Sequence, residues 1–371
     1  MKNKGFIKGA DLSSLAEVEL CGAKFYDGAE ELDAMTILHR HGANLVRLRL
    51  WNDPYAEDGS PYGAGCNDLP RTIELARRAR SLGMKWMLDF HYSDFWADPG
   101  KQIMPKAWRG LDLPSLSDAL YRFTEETLET LNAEGLTPDV VAIGNEITNG
   151  MLWPLGKSPE NFDGLVTLLN SGIRAVREKA SDADIMLHLD NGGKNELYRY
   201  WFDNYFARGG EDFDVIGLSY YPFWHGTMAD LRHNMYDVAE RYGKDLVVVE
   251  TSMGFSLDDY AALEQLNPAE RKGFAATEKL ASGVEYPMTP EGQTKFLADL
   301  ADTIKNVPGG RGRGFVYWEP AWVPIPGSHW SLPAGLEYTG EKGPGGNEWA
   351  NQALFDYEGH ALPALYSIEK L

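Results

Sequence analysis

Short, almost continuous apolar runs alternate along this chain with longer segments in which apolar residues recur at helical spacing. The runs predict eight buried strands, at residues 6–10, 44–51, 85–91, 140–146, 185–190, 213–221, 246–250 and 314–318. The segments between them predict helices at residues 28–41, 68–82, 115–133, 161–180, 196–207, 228–242, 290–306 and 360–371. Eight such alternations favour a closed parallel barrel over an open doubly wound sheet. We therefore expect an α/β chain folded as a single (β/α)8 TIM barrel domain over residues 1–371.

Two predicted connections are longer than a barrel requires. Residues 251–289 follow the seventh strand and residues 319–359 follow the eighth, and the second stretch is rich in Gly, Pro and Trp. Since the loops after barrel strands lie on the face that carries the chemistry, we expect both to shape a substrate groove. No glycine-rich phosphate loop follows a predicted strand, which argues against a nucleotide site.

The charge of the chain narrows the choice of ligand. Acidic residues outnumber basic ones by 55 to 35, so neither a nucleic-acid backbone nor an anionic membrane surface is an expected partner. A neutral sugar fits this charge, and the 12% aromatic content suits sugars because flat rings pack on the C–H faces of pyranoses. We expect a monomer. The compartment stays open between a cytoplasmic protein and an extracellular one that has lost its leader.

Two glutamates end equivalent predicted strands. Glu146 follows the apolar run 140–143 through a Gly-Asn step, and Glu250 follows the run 246–249. In a parallel barrel the carboxyl ends of all strands meet on one face, so these carboxylates would converge. Such a pair serves glycoside hydrolysis, in which one carboxyl protonates the leaving oxygen and the other attacks the anomeric carbon. The alternative is structural: each glutamate neutralises Arg47 or Arg49, two cations on an otherwise buried strand.

Three further residues stand at other predicted strand ends, namely His91, Tyr221 and Trp318. Each alone would also fit a core or loop position. Together they predict a polar pocket with aromatic walls at the mouth of the barrel. A barrel metalloenzyme is disfavoured because His91 and His188 lack nearby partners at ligand spacing, and we assign no metal ligand.

Seven segments carry a resemblance to a known family, in the same order along the chain. They are GADLSSL (9–15), VRLRLWNDP (46–54), DFHYSDFWADPGKQ (89–102), GNEITNGMLWP (144–154), HLDNGG (188–193), GLSYYPFW (217–224) and YWEPAW (317–322). Together they resemble glycoside hydrolase family 53, the arabinogalactan endo-β-1,4-galactanases. The resemblance spans almost the whole chain. It implies a (β/α)8 barrel, a retaining mechanism and paired catalytic glutamates on the fourth and seventh strands.

The resemblance also implies roles for single residues. Carried over by position, it makes Glu146 the general acid/base and Glu250 the nucleophile. Arg47 would pair with the nucleophile and orient it, and Tyr221 would donate a hydrogen bond to it. Asn145 would bond the 2-hydroxyl of the sugar, a contact that strengthens as oxocarbenium character develops.

The same resemblance implies which residues bind the sugar. His91 would bind near the reacting sugar, and Trp318 would form the platform under it. Flanking sugar subsites would be provided by four further side chains, Asp94, Trp96, Asp190 and Trp322. Many bacterial members resemble one another in an Asp-rich calcium loop after the seventh strand. Here residues 252–287 offer Asp258 and Asp259 without a matching ligand array, so we assign no cofactor.

Electrostatics predict how two such glutamates would divide the work. A nucleophile beside Arg47 has its charged form favoured, so the pKa of Glu250 should fall. The acid must stay protonated near neutral pH, and burial together with the neighbouring carboxylate should raise the pKa of Glu146. Once the glycosyl-enzyme forms, Glu250 loses its charge and Glu146 becomes able to act as a base.

Three hypotheses follow for the function. The first is a retaining endo-β-1,4-galactanase. The second keeps the barrel and mechanism but changes the substrate to galacto-oligosaccharides, mannan or glucan, with exo action as a variant. The third is a carbohydrate-binding barrel without turnover, which predicts that one catalytic carboxylate is missing, whereas the sequence contains both.

Overall fold

The eight predicted strands form one closed barrel in the computed structural model, which describes residues 5–258, 260 and 274–371. They are β1 (Ile7–Asp11), β2 (Leu45–Leu50), β3 (Lys85–Phe90), β4 (Val140–Ile143), β5 (Asp184–Leu189), β6 (Val215–Ser219), β7 (Asp245–Thr251) and β8 (Gly312–Tyr317). Each strand pairs in parallel with the next along the chain, and β8 closes on β1, where Gly9 lies opposite Val316. The predicted barrel is confirmed.

Helices follow the strands. They are α1 (Leu15–Leu20), α2 (Ala34–Arg40), α3 (Leu69–Ser81), α4 (Leu113–Ala133), α5 (Phe162–Lys179), α6 (Asn195–Ala207), α7 (Met228–Tyr242), α8 (Glu278–Ala281), α9 (Pro290–Lys305), α10 (Pro333–Thr339) and α11 (Pro363–Ser367). Capping side chains define several of their starts. Asp68 accepts a hydrogen bond from the backbone N–H of Arg71 before α3, and Thr227 and Asp230 form a reciprocal capping box at α7.

Shorter elements fill the connections. Two hairpins pair Phe25–Asp27 with Glu30–Leu32 and Gly150–Met151 with Gly156–Lys157. Single 3-10 turns lie at Lys106–Trp108, Ile147–Asn149, Pro308–Gly310, Ala350–Gln352 and Ile368–Lys370. No helix of the described residues is both long and apolar enough to span a bilayer.

Two helix predictions were wrong in extent. The predicted helix 28–41 begins as part of a hairpin, and α2 starts only after Asp33, whose carboxylate caps the backbone N–H of Thr36 at 3.0 Å. The predicted helix 360–371 is limited to α11 and one 3-10 turn, because Pro363 fits only the first turn of a helix. The short helix α1 was not predicted, since six residues are too few to show helical spacing.

Alternation along the strands separates an inner from an outer set of side chains. A distinct apolar cluster has a member from every strand and fills the barrel interior: Ile7, Leu45, Met87, Val140, Ala142, Met186, Val215, Val247, Val249 and Val316. Further along the strands, inward positions carry buried polar side chains: Asp11, Arg47, Arg49, Asp89, His188 and Ser219. The apolar layer is therefore a floor, and the polar layer above it faces the mouth of the barrel.

Candidate active site

A cleft with a volume of about 240 Å³ lies above the polar layer. Of the eleven predicted site residues, eight line it: Glu146, Glu250, His91, Trp96, Asn145, Tyr221, Trp318 and Trp322. The predicted convergence of the two glutamates on one cleft is therefore observed.

Glu146 reaches the cleft through a strained turn after β4. Gly144 has φ +80°, and a Cβ at this position would lie 2.6 Å from the side chain of Ile147, so only glycine fits. Glu146 itself has φ 47°, in the left-handed region that residues with side chains rarely adopt. Such strain, of about 1–3 kcal/mol, persists only where the surrounding structure imposes it, and it concentrates at functional sites.

Glu250 reaches the cleft through an irregularity near the end of β7. The pairing register of β7 shifts there against both β6 and β8. Val249 belongs to the interior cluster, so regular alternation would turn Glu250 outward. The irregularity places two consecutive side chains inward and brings this carboxylate into the cleft.

Arg47 lies beneath the cleft and is almost fully buried. Its Nη2 lies 2.8 Å from Glu250 Oε1 and 2.8 Å from Asp89 Oδ2, while Nη1 donates to Asp11 Oδ2 at 2.7 Å. The predicted pairing of Arg47 with Glu250 is present. Arg49 instead binds Glu319, with 2.5 Å between Nη1 and Oε1. The structural alternative required each glutamate to pair with an arginine. Among the described ion pairs, only Glu250 does so.

Both oxygens of Glu250 are held. Tyr221 donates its hydroxyl to Oε2 at 3.1 Å, while Oε1 faces Arg47. The hydroxyl of Tyr221 remains protonated, because burial and the adjacent Glu250 raise its pKa. Since a carboxylate fixed at both oxygens cannot rotate freely, Glu250 keeps one orientation toward the cleft.

Burial dominates the pKa values of both carboxyls. It raises the pKa of Glu250 to about 7, and Arg47 opposes this shift without cancelling it. The expectation that Arg47 would lower this pKa overall was therefore wrong. Burial, followed by the charge of Glu250, raises the pKa of Glu146 well above its ordinary value. Glu250 has a cation contact and, among the described residues, Glu146 has none, so Glu250 is the carboxyl that ionises first.

His91 lines the cleft with both ring nitrogens already engaged. Nδ1 accepts hydrogen bonds from Trp51 Nε1 at 3.1 Å and from the backbone N–H of Ala97 at 3.2 Å. Nε2 lies 3.1 Å from Asp89 Oδ2 and therefore carries the hydrogen. Burial lowers the pKa of His91, which keeps the ring neutral. Both polar atoms of the ring are therefore satisfied within the protein.

Asn145 joins the charged floor to the cleft. Its Oδ1 accepts from Arg47 Nη2 at 2.8 Å, and its Nδ2 donates to the carbonyl of Ala97 at 2.8 Å. An amide nitrogen carries two hydrogens, so one donor of Asn145 is left for a ligand. Side-chain fixation at both ends gives this donor a defined direction.

Indole rings form one wall of the cleft. The Trp318 ring lies 6.0 Å from Trp96 and 6.0 Å from Trp322, measured between ring centroids. Trp349 packs edge-on against Trp318 at 4.7 Å and also contacts Tyr221. The guanidinium of Arg49, which also lines the cleft, lies 4.4 Å from the centroid of the Trp96 ring.

Besides Arg47, two predicted residues lie outside the lining of the cleft. Asp94 accepts from the backbone N–H of Lys106 at 2.7 Å and from the Tyr338 hydroxyl at 3.4 Å. Asp190 binds Thr148 Oγ1, two residues after Glu146. Both carboxylates hold loops in this structure, and their placement does not support the prediction that they bind flanking sugars.

The long loop after β8 contributes residues that the sequence did not single out. Trp330, Glu341, Glu348 and Trp349 all line the cleft, as does Lys101 from the loop after β3, which forms an ion pair with Glu341. The prediction that residues 319–359 shape the groove is confirmed. Their Gly, Pro and Trp content was the available signal, but it could not identify which indoles turn inward.

The loop after β7 is only partly described. Asp259 and residues 261–273 lie outside the described residues, and Asp258 is exposed. Within the described residues no group of three His, Cys, Asp or Glu side chains could hold a metal ion. The absence of a cofactor remains a prediction.

Comparisons with known proteins agree with this geometry. The family model described as glycosyl hydrolase family 53 matches residues 7–368. The endo-beta-1,4-galactanase of Bacillus subtilis (strain 168) is 38% identical over 382 residues, covering 98% of this chain and 85% of the relative.

Two solved structures extend the agreement to the fold. The GH53 catalytic domain of Ignisphaera aggregans has a TM-score of 0.89 at 38% identity and covers 99% of this chain and 96% of its own. A fungal beta-1,4-galactanase has a TM-score of 0.78 at 31% identity, covering 98% of both chains. The chain therefore belongs to glycosyl hydrolase family 53 and is a glycosidase.

Proposed function

We propose that the protein is a retaining endo-β-1,4-galactanase that cleaves galactan, including the galactan side chains of pectin and arabinogalactan I. The observation that carries this proposal is the unequal support of two carboxyls in one cleft: Arg47 and Tyr221 hold Glu250, while Glu146 has no cation contact among the described residues. The galactanase names of its relatives supply the substrate.

In the first step, Glu250 acts as the nucleophile. Its carboxylate oxygen bonds to the anomeric carbon while the glycosidic bond breaks, and Glu146 gives its proton to the leaving oxygen. The remaining N–H of Asn145 would donate to the 2-hydroxyl of the reacting galactose. Trp318 would lie under this sugar.

In the second step, a water molecule releases the sugar. Glu250 is now an uncharged ester, so it no longer raises the pKa of Glu146, which takes a proton from the water. The water oxygen bonds to the anomeric carbon and Glu250 leaves as a carboxylate, which restores the starting state. Two displacements at one carbon retain its configuration.

Replacement of each carboxyl tests these roles. Glu146→Gln and Glu250→Gln should each reduce hydrolysis of linear galactan by at least about 10²-fold to 10⁴-fold. Glu129→Gln is the matched control, because Glu129 binds Lys179 on the exposed face of α4 and should retain full activity. Full activity in either cleft variant would remove the assignment.

Azide distinguishes the two roles. With an activated aryl β-galactoside, azide should rescue Glu250→Gly and yield the α-galactosyl azide, because it replaces the nucleophile. It should rescue Glu146→Ala to yield the β-galactosyl azide, because there it attacks the glycosyl-enzyme. Exchanged anomers would exchange the roles.

A substrate panel tests the specificity. Reducing ends should appear fastest on linear β-1,4-galactan, in comparison with β-mannan and a soluble cellulose derivative. Mid-chain products at early times indicate endo action, whereas one dominant short product indicates exo action. A faster reaction on mannan or cellulose would support the alternative substrate.

A further inference from the structure

A buried pair behind Glu146 has no part in the roles assigned above. His188 on β5 and Ser219 on β6 are both fully buried and do not line the cleft. Ser219 Oγ lies 2.6 Å from Glu146 Oε1, and His188 Nε2 lies 2.8 Å from Ser219 Oγ. The three side chains therefore form a hydrogen-bonded line that ends on one oxygen of Glu146.

We propose that His188 and Ser219 are positioning residues that keep Glu146 Oε1 as a hydrogen-bond acceptor, so that Oε2 carries the exchangeable proton toward the cleft. The proposal rests on the acid/base role of Glu146 given above. A carboxylic acid has two oxygens, and only a proton on the oxygen facing the leaving group can be transferred. The question is what prevents this proton from residing on the buried oxygen.

A count of hydrogens leaves two arrangements, which differ in the tautomer of His188. A serine hydroxyl has one hydrogen, and a neutral imidazole has one N–H. If His188 carries its hydrogen on Nε2, it donates to Ser219 Oγ, and the hydrogen of Ser219 points to Glu146 Oε1. The free lone pair of His188 Nδ1 then faces the backbone N–H of Glu146, at 3.4 Å. In this arrangement Oε1 can only accept.

The other tautomer of His188 would inactivate the acid. With its hydrogen on Nδ1, His188 would donate to Asn145 Oδ1 at 3.0 Å, and Nε2 would take the hydrogen of Ser219. Ser219 could then only accept from Glu146, which would hold its proton on Oε1, away from the leaving group. This contact is shorter than the one between His188 Nδ1 and the backbone N–H of Glu146, but Asn145 Oδ1 also accepts from Arg47 and is satisfied without it.

The charges around the pair keep the imidazole neutral. Burial lowers the pKa of His188 well below its ordinary value. Arg47, His91 and His225 lower this pKa further, and Asp89 opposes them. The charges of Glu250, Asp190 and Asp98 add to the rise in the pKa of Glu146. A neutral histidine donating through Ser219 therefore supplies a hydrogen bond to Glu146 without adding a proton to the site.

The bond strengthens during the reaction. As the proton leaves Oε2 for the glycosidic oxygen, Glu146 becomes negative and the Ser219 donor stabilises that charge at Oε1. In the second step water gives a proton to Oε2, so Glu146 becomes neutral again. Ser219 and His188 exchange no proton in either step.

Nitrogen NMR of the native protein tests the tautomer directly. In protein labelled with ¹⁵N-histidine, the signals that disappear in His188→Asn belong to His188. They should show a neutral ring with hydrogen on Nε2 from about pH 5 to about pH 8. A hydrogen on Nδ1, or a doubly protonated ring, in this range would overturn the proposal. This measurement needs no substrate, so its failure is distinct from failure of the proposed activity.

Kinetics of Ser219 variants test the consequence. Ser219→Ala removes the donor, so the pKa of Glu146 should rise and the alkaline limb of kcat/KM should move up by as much as about one pH unit. Galactan, which needs the acid, should be slowed more than an aryl galactoside with an activated leaving group. Ser219→Thr keeps the hydroxyl and should restore both properties. An unchanged alkaline limb, or equal slowing of both substrates, would contradict the positioning role.

Discussion

Arg47 Nη2 lies 2.8 Å from Glu250 Oε1 inside a barrel that leaves the guanidinium almost no exposure. The same cation also contacts Asp11 and Asp89, and Asp11 has a second, longer contact of 3.6 Å with Arg49. Burial raises the pKa of Glu250 by more than Arg47 lowers it, and the charges of Asp89 and Asp11 add to the rise, so this pKa stays raised despite the ion pair. The arginine thus orients the carboxylate and still leaves it able to take up a proton near neutral pH.

Loss of Arg47 should affect stability as well as activity. Arg47→Met leaves Asp89 and Glu250 buried without their arginine and Asp11 with only its longer contact to Arg49, so the free energy of unfolding in urea should fall by about 3–5 kcal/mol. Arg47→Lys keeps the charge but cannot contact all three carboxylates, and it should lose kcat with a smaller loss of stability.

The matched control is an arginine on the surface. Arg71 binds Glu74 with partial exposure of both side chains, so Arg71→Met should change the free energy of unfolding by less than about 1 kcal/mol. Equal destabilisation in Arg47→Met and Arg71→Met would show that the buried ion pairs of Arg47 contribute no more to the free energy of unfolding than a surface ion pair does.

Tyr221 should set the acidic limb of the pH profile. Its hydroxyl stabilises ionised Glu250, so Tyr221→Phe should raise the pKa of Glu250 further above its value of about 7. A nucleophile must be ionised, so the acidic limb of kcat/KM should move to higher pH, by up to about one unit. A rate profile measured on both enzymes across neutral pH checks this. An unchanged acidic limb would show that the hydrogen bond from Tyr221 does not affect the pKa of Glu250.

Glu319 should make stability depend on pH. Burial raises its pKa to about 7, with Arg49 opposing. The folded state therefore holds this proton more tightly than the unfolded state. The stabilisation is complete below the ordinary pKa of 4.5 and is lost as pH rises through about 7.

Glu319→Gln cannot ionise and isolates this effect. Relative to the variant, the native protein should lose up to about 1.4 kcal/mol of unfolding free energy per pH unit between pH 5 and pH 7. Urea unfolding at several pH values measures the difference. Parallel curves for the two proteins would mean that Glu319 does not titrate in this range.

Trp349 should contribute to substrate binding. Its ring extends the aromatic wall beyond Trp318 and touches Tyr221. Trp349→Ala should raise KM for galactan by about 5-fold to 20-fold with a smaller change in kcat, because the wall acts in binding more than in chemistry. Trp349→Phe keeps a flat apolar ring and should give an intermediate KM. A pure loss of kcat in Trp349→Ala would instead place the indole near the reacting atoms.

Much of the site could be predicted because strand order and strand ends follow from local patterns. Glu146 and Glu250 each end an apolar run, and parallel closure of the barrel is sufficient to bring such ends together. Alternation along β2 likewise explains why Arg47 and Arg49 lie on one face of the strand. The predicted start of the helix at 28–41 was wrong for a local reason, because a hairpin occupies the residues just before the cap at Asp33.

Other features depended on contacts between distant residues. The contact of His188 and Ser219 with Glu146 was not predicted, because it exists only once β4, β5 and β6 lie side by side in the barrel. The raised pKa of Glu250 was missed because a sequence shows its cation but not the depth of burial or the carboxylates that compete for it.

The sequence by itself determined the barrel, the family and the positions of both cleft glutamates, since these depend on periodicity and on motifs that are continuous along the chain. Only the tertiary structure decided which side chains hold those glutamates, which indoles enter the cleft and which way the pKa of Glu250 shifts. The reason is that hydrogen bonds and electrostatic energies depend on distance in space and on exclusion of water, and neither quantity exists until the strands have closed.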